Sequence, residues 1–482
     1  MSPMMIRYQS FGPVARSLPA LIVKIVLITL SALLGDALVG GASEQPQAGG
    51  STSGAIAYVR ADNGDEIRLI EPDGSNDHSL WSHDLADPQN SLQILALDWR
   101  PDAGELAFSS NHERTCSIFA SDVYTIQPDG GNFRRVSNGP DCKSLGSYAK
   151  GDVTVTVRNY TSKFDTNFYV YVQGAPGILG VVIPWNGVAT VTFPDVADFG
   201  ATRQWVALLH TGDSTDLHND YRWYIGDVDV QPGQTVTASP DPAPAYGDGT
   251  PLPGAWSPTW RGDGSRIGFA RSAGACLNSY SVPADNPPLG VTGEAIITSD
   301  EISPCALAWG PTTATANQVI FLAYPNLGTD GATLYMATEG TTASSGTKLF
   351  SLGSTVMLLW FDWLPDGQGF LFVRTTKFAN TSFVEANLFE YDFASGEIEQ
   401  LTNLSDEFVR SFSVSPDGQT IVFERAASLE STASELWLMN RDGSDLRLLV
   451  ANGRAPAWSP GDPPAPPPAP TPSLYLPMFL RD

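Results

Sequence analysis

Positive charge is scarce in this chain: 27 lysines and arginines face 52 aspartates and glutamates, for a net charge of −25 over 482 residues. No basic stripe is available to neutralise phosphates, which excludes a nucleic-acid partner. Cysteine is scarcer still, at four residues, and no Cys-x-x-Cys spacing suggests a zinc site. No Gly-x-Ser-x-Gly elbow occurs, so the nucleophile of an α/β-hydrolase is missing. No glycine-rich phosphate cradle stands out, no carboxylate pair can be assigned to acid and nucleophile roles, and no cofactor is expected. Helical periodicity is nearly absent beyond the N-terminal segment.

That segment reads as an export signal. Arg7, Arg16 and Lys24 precede the apolar run Ile25 to Leu34, and the small residues Gly40-Gly41-Ala42-Ser43 follow it. Lys24 and Asp36 interrupt the apolar stretch too early for a comfortable membrane span, so residues 1–42 are expected to be removed and no transmembrane helix to remain. No cysteine follows the run, which argues against a lipoprotein.

The rest of the chain is turn-rich and apolar, with 45 glycines, 37 prolines and 10% aromatic residues. It is organised by a repeat. Corners recur at Trp99-Arg100-Pro101-Asp102, Trp260-Arg261-Gly262-Asp263-Gly264, Trp309-Gly310-Pro311, Trp363-Leu364-Pro365-Asp366-Gly367, Val414-Ser415-Pro416-Asp417-Gly418 and Trp458-Ser459-Pro460. After each of the first five comes an alternating strand with an aromatic at the same place: Phe108, Phe269, Phe321, Phe372 and Phe423. A period of roughly 40–50 residues with four short strands per unit is the signature of a β-propeller. The last corner has no strand after it, and the first strand, Gly54 to Arg60, has no corner before it. Joined in one blade they close the ring, which predicts six blades with Trp458 on an innermost strand beside the strand of Tyr58.

The corners and the strands after them resemble the WD40-like (PD40) repeats of TolB-like propellers. The form is clearest at Ser415-Pro416-Asp417-Gly418-Gln419-Thr420-Ile421-Val422-Phe423. Leu436 to Ser444 and Ile67 to Ser75 match the third strand and its turn. The resemblance covers residues 54–142 and 250–460 and implies a fold rather than an activity, because such repeats serve transport accessories, peptidases and surface proteins. TolB itself carries an α/β domain before its propeller. Only a short stretch separates the leader from the first strand here, so a Tol-complex role is not expected.

The domain plan follows: signal peptide 1–42, propeller 50–142 and 250–460, an insert at 143–249, and a Pro-rich linker and tail at 461–482. The insert lacks the repeat but alternates at Val153–Val157, Phe168–Val172, Ala189–Phe193, Gln204–Leu209 and Val228–Val230. That spacing predicts an immunoglobulin-like β-sandwich, returned to the propeller by the stiff run Pro240 to Ala245.

Cys116 and Cys142 follow the second and fourth strands of one blade, and Cys276 and Cys305 hold the same places in the next. Those loops emerge on one side of a propeller, which favours the pairs Cys116–Cys142 and Cys276–Cys305. Arginines Arg60, Arg271, Arg374 and Arg425 stand at one offset from the core aromatics of their strands. They are either replicated structural ion pairs or a partly convergent site for an anion or acidic peptide. In the insert, His210, Asp213, Asp216, His218 and Asp220 share a polar loop that reads as solvated, with a divalent metal as the weaker alternative. The sequons at Asn159, Asn380 and Asn403 fit exposed loops.

The turns between first and second and between third and fourth strands are tight, while the opposite loops are long. Enlargement on one side is how repeat proteins build a binding surface. The expected function is therefore a secreted or surface-associated, monomeric binding protein. Its ligand would be a protein, peptide or glycan at the cell surface, held between the sandwich and the channel mouth. The alternative is an extracellular hydrolase or lyase working at that mouth.

Overall fold

The computed structural model describes residues 54–60, 65–83, 92–113, 116–119, 121–159, 166–200, 203–211, 223–238, 250–251, 254–272, 276–289, 293–324, 331–353, 355–379 and 382–461. The leader, both Pro-rich runs, the C-terminal tail and the loop carrying Asp213, Asp216, His218 and Asp220 lie outside the described residues, as do the side chains of His210 and Cys276. Among the described residues the regular elements are strands, apart from short 3-10 turns at Ser144–Ser147 and Ala343–Ser345. No helix among them is long and apolar enough to cross a membrane.

Six four-stranded antiparallel units carry the repeat. The first runs His78–Ser82, Glu66–Ile70, Ile56–Arg60 and Gly453–Trp458, so the two ends of the repeat region share one sheet. Ile56 pairs with Trp458 and Arg60 with Gly453, although nearly the whole chain separates them. The second unit contains Ile94–Trp99, Leu106–Ser110, Asp122–Ile126 and Arg134–Arg135. The third contains Gly254–Trp260, Arg266–Ser272, Cys276–Pro283 and Glu294–Ala295, and the fourth Pro304–Trp309, Gln318–Ala323, Thr333–Thr338 and Thr347–Ser351. The fifth has Leu358–Trp363, Gly369–Ala379, Ser382–Asp392 and Ile398–Gln400, and the sixth Phe408–Val414, Thr420–Ala426, Ser434–Asn440 and Arg447–Ala451. A single parallel pair, Ala386 with Phe408, joins these last two into one continuous sheet.

Contacts between the corner-bearing strands run in a cycle: Gly453–Trp458 to Ile94–Trp99, then Gly254–Trp260, Pro304–Trp309, Leu358–Trp363, Phe408–Val414 and back. This is a propeller. Its second strands are packed on both faces, which is why Leu106–Ser110 reads as a continuous buried run while the outer Ile398–Gln400 is exposed throughout. Every corner-bearing strand, or its partner, carries a register shift in mid-strand, as between Trp256 and Thr259 or Val409 and Phe412. The corner tryptophans tie neighbours together: Trp99 Nε1 donates to Ala457 O at 3.1 Å and Trp363 Nε1 to Ala308 O at 3.0 Å.

The tight turns owe their shape to the Asp-Gly pairs. Asp263, Asp366 and Asp417 each accept a backbone N–H two residues on, at 2.9–3.0 Å, and Gly264, Gly367 and Gly418 take φ values of 71–72°. Ala103 holds the same place in the second unit at φ 59°, a conformation that costs a side chain roughly 1–2 kcal/mol.

Between the second and third units the chain forms two further sheets. A five-stranded sheet orders Leu179–Ile183, Thr166–Val172, Gln204–Thr211, Trp223–Val228 and Thr250–Pro251. A three-stranded sheet orders Val188–Ala197, Lys150–Arg158 and Thr235–Ala238, the last pair parallel. Side chains of both sheets, among them Val153, Val155, Phe168, Val170, Phe193 and Val206, meet in one buried core.

Candidate functional site

A dense buried polar cluster lies where the long loops of the second unit meet the inserted sheets. Asp122 opens the third strand opposite Ser110, and Arg135 ends the fourth opposite Tyr124. Glu113 follows the second strand, in a loop held by the disulfide Cys116–Cys142. Glu113 accepts the Cys142 amide at 2.8 Å and the Tyr124 hydroxyl at 2.9 Å, and lies 3.3 Å from Arg135. Asp122 accepts the hydroxyls of Ser117 at 2.5 Å and Ser137 at 3.0 Å. The Arg135 side chain is only 4% exposed, sits between these two acids, and donates to Gly139 O at 3.1 Å and to Pro140 O.

Electrostatics follow from the burial. Desolvation pushes the Glu113 carboxyl above its ordinary value, partly offset by the Arg135 charge. Burial works against the Arg135 cation, but Asp122, Tyr124 and Glu113 outweigh it and hold the guanidinium firmly charged. Burial, with help from His83 and Arg135, pushes the neighbouring His112 down to about 3. His112 is therefore a neutral ring at ordinary pH, packed against Trp81, Tyr124 and Phe133. Glu113, Cys116 and Cys142 also gather like a metal-ligand set, but the two sulfurs are bonded to each other and offer no thiolate.

Asn138 joins this cluster to the rest of the molecule. Its Nδ2 donates to Asp122 at 2.6 Å, its Oδ1 accepts from Arg271 of the third unit at 2.9 Å, and its carbonyl accepts from Gln173 of the insert at 3.1 Å. Apolar contact reinforces the joint. Ile118 and Phe119 pack among Tyr171, Ala207 and Leu209 of the five-stranded sheet, and Cys116 and Leu145 among Ala197 and Phe199.

The four arginines singled out in the sequence fare differently. Arg271 is 8% exposed, hydrogen-bonded to Asn138, and lies 4.8 Å from the centre of the Tyr280 ring. Arg425 pairs with Glu407, its Nε 3.0 Å from the carboxylate, and covers the Trp437 ring at 4.9 Å. Arg374 covers the Phe389 ring at 4.3 Å; its buried Nε finds no acceptor, and burial lowers its basicity. No carboxylate pairs with it among the described residues. Arg60 is half-buried and engaged with its surroundings. Stacking on the third-strand ring of its own sheet is thus a shared role of Arg271, Arg374 and Arg425. Cys305 is in a disulfide, and the side chain of its expected partner Cys276 lies outside the described residues.

Two other places carry charge. Asp98 and Asp362 sit on the corner strands of the second and fifth units, opposite places in a cycle of six. Burial pushes the Asp98 carboxyl well above its ordinary value and the charge of Asp362 adds to this, while burial raises Asp362 to about 6. On the tight-turn side, a cleft of about 430 Å³ is lined by Arg100, Asp102, Glu105, Asn132, Arg134 and Asp285. Its cations are already matched: Arg134 lies 2.9 Å from Glu105, and Arg100 lies 3.3–3.6 Å from Asp102, Glu105 and Asp285.

The buried cluster of Glu113, Asp122, Arg135 and Asn138 is not visible in the sequence. Asn138-Gly139 signals only a turn, and nothing in the local pattern marks the charges beside it as buried.

No family model matches the sequence, and no curated protein matches it. Among solved structures the chain is similar to a nidogen/laminin complex, at 8% identity over 85% of this chain and 99% of that one, with a TM-score of 0.41. It is also similar to the propeller domain of the trilobed protease from Pyrococcus furiosus, at 9% identity over 83% and 96%, with a TM-score of 0.36. TolB from Agrobacterium tumefaciens gives 14% identity over 86% and 96%, with a TM-score of 0.29. Likenesses at this level add no argument to the sheet topology, on which the fold rests.

Proposed function

We propose that this chain is an exported, six-bladed TolB-like propeller carrying an immunoglobulin-like insert at 143–249, and that it binds a ligand at the cell surface through its long-loop side. The observation that carries this reading is the joint at Asn138: Gln173 of the insert donates to its carbonyl, while its side chain ties Asp122 of the second unit to Arg271 of the third, all buried. A domain that merely trailed from a surface loop would not need so enclosed a joint. Held there, it forms one wall of a surface whose other wall is the row of strand-ending arginines. Arg374, with its guanidinium matched by no acid among the described residues, is the group best placed to meet an acidic side chain or a uronic acid. Arg271 serves the joint, and Arg425 is shared with Glu407.

The test uses the full mature chain on an array of acidic peptides and glycans. Arg374→Ala should weaken capture about tenfold or more with its melting temperature unchanged, while Asp102→Asn on the opposite side should leave capture as it was. Capture that survives Arg374→Ala, or that Asp102→Asn removes, would refute the assignment of the side.

A further inference from the structure

The largest concentration of exposed apolar side chains in the described residues lies on the insert: Val182 at 64% exposure, Trp185 at 55% and Val188 at 51% fall within seven consecutive residues. Val182 lies on the strand Leu179–Ile183 and the other two follow it; this strand is terminal in the five-stranded sheet and pairs on one side only among the described residues. Natural edge strands are usually blunted by charge, proline or a bulge. This one has none of these within it: from Ile178 to Val188 there is no charged residue, in a chain of net charge −25. Pro184 stands only after the strand has ended, and the turn Pro184-Trp185-Asn186-Gly187, with Asn186 at φ 56°, holds Trp185 out toward solvent.

The strand is also self-complementary. Gly180 and Val182 lie on the same sheet face, one residue either side of Val181. The Tyr169 ring lies over Gly180, where an added Cβ would meet Cε1 at 3.3 Å, and Val182 protrudes. If a second copy pairs antiparallel about a two-fold axis at Val181, each Val182 falls opposite the other copy's Gly180. The projecting side chain of one then packs against the Tyr169 ring that covers Gly180 of the other, on both sides of the axis.

We propose that this edge pairs with the same edge of a second copy, joining two five-stranded sheets into one. The absence of charge favours this partner, since two chains of net charge −25 can approach only where neither presents an acid. Five paired residues and three apolar side chains fall short of the roughly 1,200 Å² that stable complexes bury, so the dimer dissociates in the micromolar range.

Sedimentation velocity of the mature chain from about 1 to 200 μM reads the association directly. A dimer that Val182→Lys weakens by about tenfold or more is the expected result. Register is read by mixing Gly180→Cys and Val182→Cys variants under mild oxidation: the mixture should cross-link and neither variant alone should. A monomer across the whole range, a dimer indifferent to Val182→Lys, or cross-linking of either single variant by itself would overturn the proposal. So would a monomer whose edge takes up an unrelated extended peptide instead.

Discussion

Trp260 is held by Asp98 at two points: its amide donates to Asp98 Oδ2 at 2.6 Å, and its indole Nε1 donates to the Asp98 carbonyl at 3.2 Å. One residue of the second unit thereby fixes both the backbone and the ring of the corner residue of the third. The same backbone role falls to a hydroxyl elsewhere in the cycle, where Ser413 Oγ accepts the Trp458 amide at 2.8 Å. Asp98→Ala should therefore cost about 1–3 kcal/mol, because a buried amide loses its acceptor. Asp98→Asn keeps an acceptor oxygen on a group that needs no charge in this buried place, so it should be neutral or stabilising at pH 7. Urea unfolding of the two variants decides it: equal losses would mean that the carboxylate charge, not the acceptor, is what Trp260 requires.

Asp362 gives the pH dependence. Its folded-state carboxyl lies near 6 against an ordinary value near 4, raised by burial. The folded state therefore binds more protons than the unfolded state between those values, and stability falls as pH rises through that window. The loss is complete above pH 6 and amounts to about 2–3 kcal/mol for a shift of this size. Asp362→Asn removes it. The variant should match the parent near pH 3.5 and exceed it by an increasing margin up to pH 7, read as the difference between their unfolding midpoints. A margin that stays constant with pH would place the effect outside this titration.

Much of this architecture could be read from the chain because the repeat states it six times. The shared sheet of Ile56–Arg60 with Gly453–Trp458 was foreshadowed by two fragments, each lacking what the other had. In the insert, the alternating runs around Val155, Val170, Val191 and Val206 fall within observed strands, since one face of each is buried. Leu179–Ile183 and Thr235–Ala238 leave little mark in the sequence because edge strands this short carry too little alternation. Ala103 shows a different limit. It occupies a turn position that Gly fills in other units, so the backbone conformation is set by the turn and not by the residue's own preference. The joint at Asn138 was illegible for a further reason. Whether Asp122 and Arg135 are solvated or enclosed depends on the insert that closes over them, which no local spacing records.

That dependence makes Asn138 the residue whose loss should be felt farthest. Asn138→Ala strips one acceptor from Arg271, which is buried and carries no ion pair among the described residues, and one donor from Asp122. It leaves the carbonyl that receives Gln173 in place, so the insert keeps one of its polar ties and all of its apolar contact. Leaving buried charged groups short of a partner typically costs about 2–4 kcal/mol. The cost should fall on the propeller, because both groups that lose a partner, Asp122 and Arg271, belong to its second and third units. Calorimetry of the parent chain should then show the insert and propeller melting together. Asn138→Ala should lower that transition without splitting it, since the bond from Gln173 and the apolar contact remain. Asn138→Asp should do more harm than Ala at pH 7, since it sets a second carboxylate against Asp122. A transition that splits in two would show instead that the Asn138 side chain, and not its carbonyl with Ile118 and Phe119, couples the insert to the propeller.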